Sequence, residues 1–248
     1  MTGGADGIGL ACVEEFVRQG ANVTVGDLKR PPAEREEALA QLPGQVRFVA
    51  CDVTASDNVK ALADTAANEF GGIKSLFANA GVEGNGSVET CSEQDWDRVL
   101  AINLKGIFLA GKHCVPHIRA AGGGSILNMA SVSAFWGEPN TVAYNASKGA
   151  VLGLTRAMAM DHGPDNIRVN CLAPGFHDTG MVQRFFADLR GGDELIHRVN
   201  SLMAMRRIGR PEELARFAAF MLSDENQYVT GASMVLDGGM SAGYPWPE

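Results

Sequence analysis

Tyr144 and Lys148 stand four residues apart, and Ser131 precedes the tyrosine in the same stretch, Gly124 to Lys148. On a helix that spacing sets both side chains on one face, with Cβ atoms about 5–6 Å apart. A phenol, an ammonium and a hydroxyl that converge in a crevice make a proton-transfer site. An unperturbed phenol, with a pKa of about 10, is a poor base at neutral pH. An ammonium one helical turn away is expected to favour the phenolate. A Tyr-x-x-x-Lys pair alone recurs by chance, so its weight comes from Ser131 and from the surrounding elements. Asn103 falls at the junction of two helical segments, 92–101 and 103–120. There it either caps or kinks the chain, or holds an active-site water. His113 and His117 have metal-ligand spacing with no acidic or third histidine partner evident nearby, so they read as a solvated or packing face and no metal is expected.

These residues need a scaffold. Ser125–Ala130 is a short apolar run that reads as a buried strand, and Ser131 follows at its carboxyl end, where ligands sit in open α/β sheets. Tyr144 and Lys148 open a helix that runs to about Asp161. At the start, Gly3, Gly7 and Gly9 precede a helical pattern through Gly20, an arrangement that presents free N–H groups and the positive dipole end to an anion. The alternative is a turn with no ligand. A strand, Asn22–Gly26, then ends in Asp27, 18 residues after Gly9. A dinucleotide fold holds ribose hydroxyls on such an acid. A carboxylate there favours NAD over NADP, as does Asp6 in a loop without basic residues, whereas Lys29 and Arg30 pull the other way. The alternative for Asp27 is a surface turn before Pro31-Pro32.

Pro31–Gly44 is a charged connection with one short helix. Further strands are expected at Val46–Cys51, closed by Asp52-Val53; at Ser75–Ala78, ended by Asn79-Ala80-Gly81; at Ile167–Leu172, broken by Pro174-Gly175 with Thr179 beyond; and at Ser233–Leu236. Helices fill the spaces, one over 56–70 with Ser56 as N-cap and one from Pro211. Residues 180–208 show no strand and read as a lid. Their arginines (Arg184, Arg190, Arg198, Arg206, Arg207) either select an anionic substrate or, the favoured reading, solvate a helix face. The tail carries Tyr244 and Trp246, expected to pack on another subunit or near a site. Strands alternating with helices imply βαβ units. The expected architecture is one doubly wound parallel α/β sheet with helices on both faces, a single domain over 1–248 with 180–210 as lid.

The chain of 248 residues carries a formal net charge of −8, which argues against nucleic acid or an acidic membrane as partner. No run is long enough to span a bilayer, and no signal-peptide pattern opens the chain. Five dispersed cysteines read as reduced thiols of a cytoplasmic protein.

Taken together the motifs resemble the short-chain dehydrogenase/reductase family over essentially the whole chain. Thr2-Gly3-x-x-x-Gly7-Ile8-Gly9 is similar to its cofactor loop, Asp52-Val53 to its adenine-contacting pair, and Ala78-Asn79-Ala80-Gly81 to its Asn-Asn-Ala-Gly motif with Ala in first place. Asn103, Ser131, Tyr144 and Lys148 match its catalytic tetrad, and Pro174-Gly175 with Thr179 its nicotinamide-carboxamide segment. The resemblance implies a Rossmann-like fold and hydride transfer between NAD and a secondary alcohol or ketone. In it Tyr144 is the acid/base, Ser131 positions the oxygen, Lys148 holds the nicotinamide ribose and Asn103 anchors a water. Val82, Ser133, Phe135, Trp136, Asn140 and His177 are candidate walls for a sugar or polyol, a cyclic alcohol or a 3-oxoacyl thioester. A dimer or tetramer is implied, built partly on the Tyr144 helix through Ala146, Gly149, Ala150 and Gly153. The competing class is a non-catalytic dinucleotide-binding protein on the same fold. One departure stands out: the family's buried first strand, which precedes the glycine loop, is missing here. The expectation is a gap between two central strands, and a natural chain that starts upstream of Met1.

Overall fold

The alternation of apolar runs and helical patterns is realised as a parallel sheet in the computed structural model, which describes residues 1–183 and 192–243, without the side chains of 192–195. The strands are β1 (Val23–Asp27), β2 (Val46–Ala50), β3 (Ser75–Ala78), β4 (Gly124–Met129), β5 (Ile167–Pro174) and β6 (Ser233–Leu236). The helices are α1 (Gly7–Arg18), α2 (Ala33–Leu39), α3 (Ser56–Phe70), α4 (Glu93–Leu100), α5 (Gly106–Ala120), α6 (Val142–His162), α7 (Gly192–Leu202) and α8 (Pro211–Leu222). Every strand pair is parallel, in the orders β1-β2 and β3-β4-β5-β6.

Both faces of the sheet are covered, so the central strands are apolar on both sides rather than alternating. On one face Val59, Leu62, Ile107, Cys114, Val151 and Ile167 share a core with the helices α3, α5 and α6. On the other, Val13, Val17, Phe77, Leu127, Leu172, Leu214 and Ala218 join α1 and α8 to the strands. Phe16 of α1 meets Phe77 of β3 edge to face at 6.1 Å. Ser56 is the first residue of α3 and not its N-cap, a position that Ala55 takes; the Ser56 hydroxyl bonds His113 Nε2 at 2.9 Å instead. His117 faces Asp64 at 3.5 Å, so the two histidines serve separate contacts of α5 with α3.

Between β1 and β3 the sheet is interrupted. Among the described residues, Met1–Gly3 makes the backbone hydrogen bonds between the two halves. Thr2 N–H donates to Phe77 C=O (3.1 Å), Gly26 N–H to Met1 C=O (2.9 Å) and Gly3 N–H to Gly26 C=O (2.8 Å). The Met1 amino group donates to Thr24 C=O at 2.6 Å, and burial holds its pKa below the usual value. Beneath these residues lies a cavity of about 520 Å³, lined by Thr24 on one side, Leu76 and Phe77 on the other, and apolar groups of both layers such as Phe16, Leu62, Cys114 and Leu222. The gap expected from the missing first strand is therefore present.

Candidate active site

A second cavity, of about 360 Å³, opens at the carboxyl ends of β1, β3, β4 and β5. Its floor on one side is the glycine loop. Gly3 has φ +68°, and a Cβ there would come within 2.6 Å of Ala80 Cα; a Cβ on Gly9 would sit 1.8 Å from the Gly3 carbonyl oxygen. Only glycine permits that approach. Asn79 Nδ2 donates to Gly3 C=O at 2.5 Å, and Thr2 Oγ1 accepts from the N–H groups of Asn79 (3.2 Å) and Ala80 (3.3 Å). Asp27 accepts from Ala5 N–H at 3.0 Å, which fixes the loop to the end of β1. Asp6 caps α1 through Gly7 N–H at 2.7 Å. A side-chain-free cradle at a helix N-terminus, with a carboxylate at the next strand end, fits the diphosphate and ribose of a dinucleotide.

Gly3, Gly7, Ile8, Gly9, Asp27, Asn79, Ala80, Gly81, Pro174, Gly175 and Thr179 all line this cavity. Asp52 and Val53 do not. Asp52 closes its own turn by accepting from Thr54 N–H (2.9 Å) and Oγ1 (2.8 Å), contacts that lower its pKa, and Val53 is buried against Gly106.

On the opposite side β4 delivers Ser131, and the first turn of α6 delivers Tyr144 and Lys148 to the same cavity. Ser131 has extended backbone and caps a short 3₁₀ turn, Val132–Ala134, accepting from Ser133 N–H at 3.2 Å and donating to Ser133 Oγ at 3.1 Å. Lys148 is 3% exposed, donates to the Met129 carbonyl at 2.9 Å and lies 5.6 Å from the centre of the Tyr144 ring. The expected phenolate, favoured by Lys148 and by the positive nicotinamide ring together, is opposed by burial of the protein's own groups. Desolvation pushes Tyr144 up to about 12; the Ser131 hydroxyl opposes that rise, while Glu138 and Glu83 add to it. Burial also pulls Lys148 down to about 8. The physical reason is that dehydration disfavours each charged form separately, and the Lys148 ammonium is spent on a backbone carbonyl.

Asn103 does not line the cavity. It sits fully buried in a π-helical turn, Ala101–Lys105, that joins α4 to α5 without a break. Its Oδ1 accepts from Val82 N–H (2.8 Å), and its Nδ2 donates to Val82 C=O (2.9 Å) and Ser147 Oγ (3.1 Å). Ser147 in turn donates to the Tyr144 carbonyl at 2.7 Å. Asn103 thus clamps the loop after β3 to the turn of α6 that carries the tyrosine.

Of the expected walls, Val82, Ser133 and His177 line the cavity, whereas Phe135, Trp136 and Asn140 do not; Phe135 is 48% exposed. His177 bonds Gly175 C=O at 3.1 Å, and burial lowers its pKa. Glu83, Asn85 and Glu138 line the cavity without having been singled out from the sequence. Glu138 lies seven residues beyond Ser131 in a Gly- and Pro-containing loop, and that proximity is the only signal that points to it. Met181 and Val182, at the start of the expected lid, also line the cavity. Arg184, Arg190, Tyr244 and Trp246 lie outside the described residues. Arg207 pairs with Glu213 at 2.8 Å, Arg206 donates to Ser201 C=O and Arg198 is exposed, so these three do not line the cavity.

A family model described as "Enoyl-(Acyl carrier protein) reductase" matches residues 3–241. The chain is 38% identical over 243 residues to cis-4-hydroxycyclohexanecarboxylate dehydrogenase of Sinomonas cyclohexanicum, covering 98% of this chain and 95% of that one. Among solved structures it matches a ligand-free aldohexose dehydrogenase of Thermoplasma acidophilum with TM-score 0.90 and 34% identity, covering 100% of this chain and 94% of the other. It also matches L-sorbose reductase of Gluconobacter frateurii, complexed with NADPH and L-sorbose, with TM-score 0.88, 29% identity and coverage of 97% and 94%. The chain belongs to the short-chain dehydrogenase/reductase family, oxidoreductases of alcohols and ketones that bind nicotinamide dinucleotides.

Proposed function

We propose that this protein is an NAD-dependent oxidoreductase that interconverts a secondary alcohol and a ketone, with Tyr144 as general acid/base. The observation that carries the reading is that one cavity is shared by the glycine cradle, the Pro174-Gly175-Thr179 segment, Ser131, Tyr144 and Lys148. When bound, the nicotinamide cofactor supplies or accepts the hydride. The protein's own groups handle the proton. With its pKa near 12, Tyr144 is a phenol at neutral pH, the form that donates a proton to a carbonyl oxygen in reduction. Oxidation needs the phenolate, which the Ser131 hydroxyl favours. Ser131 also positions the substrate oxygen. Lys148 would hold the nicotinamide ribose, and Asn103 fixes the turn of α6 that aims both groups.

Asp27 and Asp6 at the adenosine end support NAD over NADP by repelling a 2′-phosphate. Of the two nearby cations that would favour NADP, Lys29 and Arg30, the latter is engaged by Glu36. We further propose that 1–248 acts as one unit with 180–210 as lid. Homo-oligomerisation through α6 fits its open face: Cβ atoms added at Gly149 or Gly153 would meet nothing within 4 Å, and Met160 is 80% exposed. A cytoplasmic location is in keeping with five free cysteines. Among the described residues no helix is long and apolar enough to cross a membrane.

The test is Tyr144→Phe, assayed against an alcohol panel at the NADH absorbance alongside NAD titration. Turnover should fall at least 1,000-fold, roughly the upper part of the acid–base contribution, with NAD affinity within threefold. Residual activity within tenfold of the unmodified protein would remove Tyr144 from the role.

A further inference from the structure

Oxidation sets a problem that Tyr144 cannot solve alone. With its pKa near 12 it is a phenol at neutral pH, and a phenol takes the carbinol proton only as it gives up its own. The structure provides a receiver. The Tyr144 hydroxyl is hydrogen-bonded to Ser131, Ser131 Oγ donates to Ser133 Oγ at 3.1 Å, and Ser133 Oγ donates to Glu138 Oε2 at 2.9 Å. Each hydroxyl has one proton to give. Ser133 spends its proton on Glu138, and Ser131 spends its own on Ser133. Ser131 therefore faces Tyr144 as an acceptor, and every donor points one way, from the phenol to the carboxylate.

The chain also joins a dry centre to a wet end. Ser131 and Ser133 are 6% and 4% exposed, whereas Glu138 is partly exposed and lies between the exposed Gly137 and Pro139. Its loop is held in place, because Glu138 C=O accepts from Thr141 Oγ1 at 3.0 Å and from Asn145 Nδ2 at 3.4 Å. The other polar groups near the tyrosine are committed elsewhere. Lys148 donates to Met129 C=O, and Asn103 gives its amide hydrogens to Val82 C=O and Ser147 Oγ.

We propose that Glu138, through Ser133 and Ser131, is the proton port of the reaction, receiving a proton in oxidation and returning one in reduction. This rests on the oxidoreductase reading above and extends it. In oxidation the carbinol carbon gives its hydride to the nicotinamide dinucleotide, and the carbinol O–H bond breaks as Tyr144 takes its proton. The Tyr144 proton passes to Ser131, the Ser131 proton to Ser133 and the Ser133 proton to Glu138. Each of the three hydroxyls loses one proton and gains one, so all end neutral. The alcohol loses two electrons, the dinucleotide gains them, and the released proton leaves the Glu138 carboxyl for water. Reduction runs the same steps backwards. Glu138 acts through the two serines and not on the substrate.

The test uses the alcohol that the unmodified protein oxidises fastest, with Glu138→Gln, Ser133→Ala and Glu138→Ala. In the first two, kcat should fall about 10- to 100-fold with KM for alcohol and NAD within about threefold, the pattern of a lost transfer step and not of lost binding. The solvent deuterium isotope effect on kcat should rise about twofold as the proton step becomes limiting. A displaced substrate would instead enlarge the effect of deuterium at the carbinol carbon. Formate should raise kcat of Glu138→Ala about fivefold by standing in for the lost carboxylate, and chloride at the same ionic strength should not. Loss in Glu138→Gln with Ser133→Ala unchanged would mark an effect of charge and overturn the relay. Full rates in both variants overturn it too, while abolition of turnover by Tyr144→Phe keeps the oxidoreductase reading, so the two proposals fail separately. A readout independent of turnover is exchange of the Tyr144 hydroxyl with water, followed by NMR at Cζ-labelled tyrosine with NADH bound; the chain has three tyrosines. Exchange should slow about tenfold in Glu138→Gln and in Ser133→Ala. If no alcohol is oxidised, slowed exchange still supports the relay and unchanged exchange overturns it.

Discussion

The two halves of the sheet are built to different standards. From β3 to β6 four strands pair without interruption, and the interior strands β4 and β5 have a hydrogen-bonded neighbour on each side. Ser131, Pro174 and the α6 turn with Tyr144 and Lys148 all hang from this half. The other half, β1 with β2, shares both helix layers with it, but among the described residues the backbone hydrogen bonds between the two halves run through Met1–Gly3, beside a cavity. The glycine loop and Asp27 sit on that seam. In this molecule the proton-transfer groups and part of the cofactor lining are held by the continuous four-strand half, whereas the glycine loop and Asp27 sit at the interruption. Chemistry and dinucleotide binding should therefore respond separately to perturbation.

The largest effect that would break the comparison is expected at the seam. Gly9→Val places side-chain atoms where a Cβ alone would meet the Gly3 carbonyl at 1.8 Å. NAD affinity, read by thermal shift or calorimetry, should drop at least 100-fold. Amide exchange in β4 and β5 should stay slow, since these strands pair on both sides within the four-strand half. Exchange that accelerates equally in both halves would show that the sheet acts as one unit.

Next in size is Asn103→Ala, on the chemistry side. It removes the partner of the part-buried N–H and C=O of Val82 and of the buried Ser147 hydroxyl. With roughly 1–3 kcal/mol for a buried group left unsatisfied, a loss of about 2–4 kcal/mol is expected in urea unfolding. Turnover should fall with it, and NAD affinity by less than in Gly9→Val, because the clamp serves α6 and the loop after β3 and not the glycine loop.

The seam can also be mended. Alternation along β3 turns Ser75 and Phe77 towards the gap, as Thr24 and Gly26 do from β1. A designed variant with five apolar residues added before Met1 should insert as a parallel strand, pairing those groups and filling the 520 Å³ cavity. It would also turn the buried amino group into an amide. A net gain of about 2 kcal/mol would raise Tm by about 4–8 °C. A variant with no gain in Tm would mean the gap is closed by other means in solution.

The smallest effect concerns pH. Lys148 is depressed from the ordinary lysine value to about 8, so between pH 8 and 10.5 the unfolded chain binds more protons than the folded one. Stability therefore rises with pH across that window. Tyr144, raised to about 12, works oppositely between pH 10 and 12, where the unfolded chain has released a proton that the folded one retains. Relative to Lys148→Met, the unmodified protein should gain about 1–2 kcal/mol from pH 8 to pH 10 in urea unfolding. A flat difference would place the Lys148 ammonium in contact with water.

That Ser131, Tyr144 and Lys148 meet in one cavity was legible because each depends on local geometry: a strand end and one helical turn. The same holds for the glycine loop, Asp27 and the Pro174-Gly175 break. Ser56 as a cap failed because a histidine one layer away offered its hydroxyl a partner. Asp52 and Val53, expected to contact adenine, lie off the cavity, with the Asp52 carboxylate held in a local turn.

By itself, then, the chain determined the order of its elements and which residues occur at one helical face or one strand end, since periodicity and turn chemistry act over a few residues. Tertiary packing decided the charges. Whether Tyr144 is a phenol or phenolate, where Lys148 points, and that Glu138 reaches Ser133 all depend on dehydration and on partners from distant segments, which no local spacing encodes.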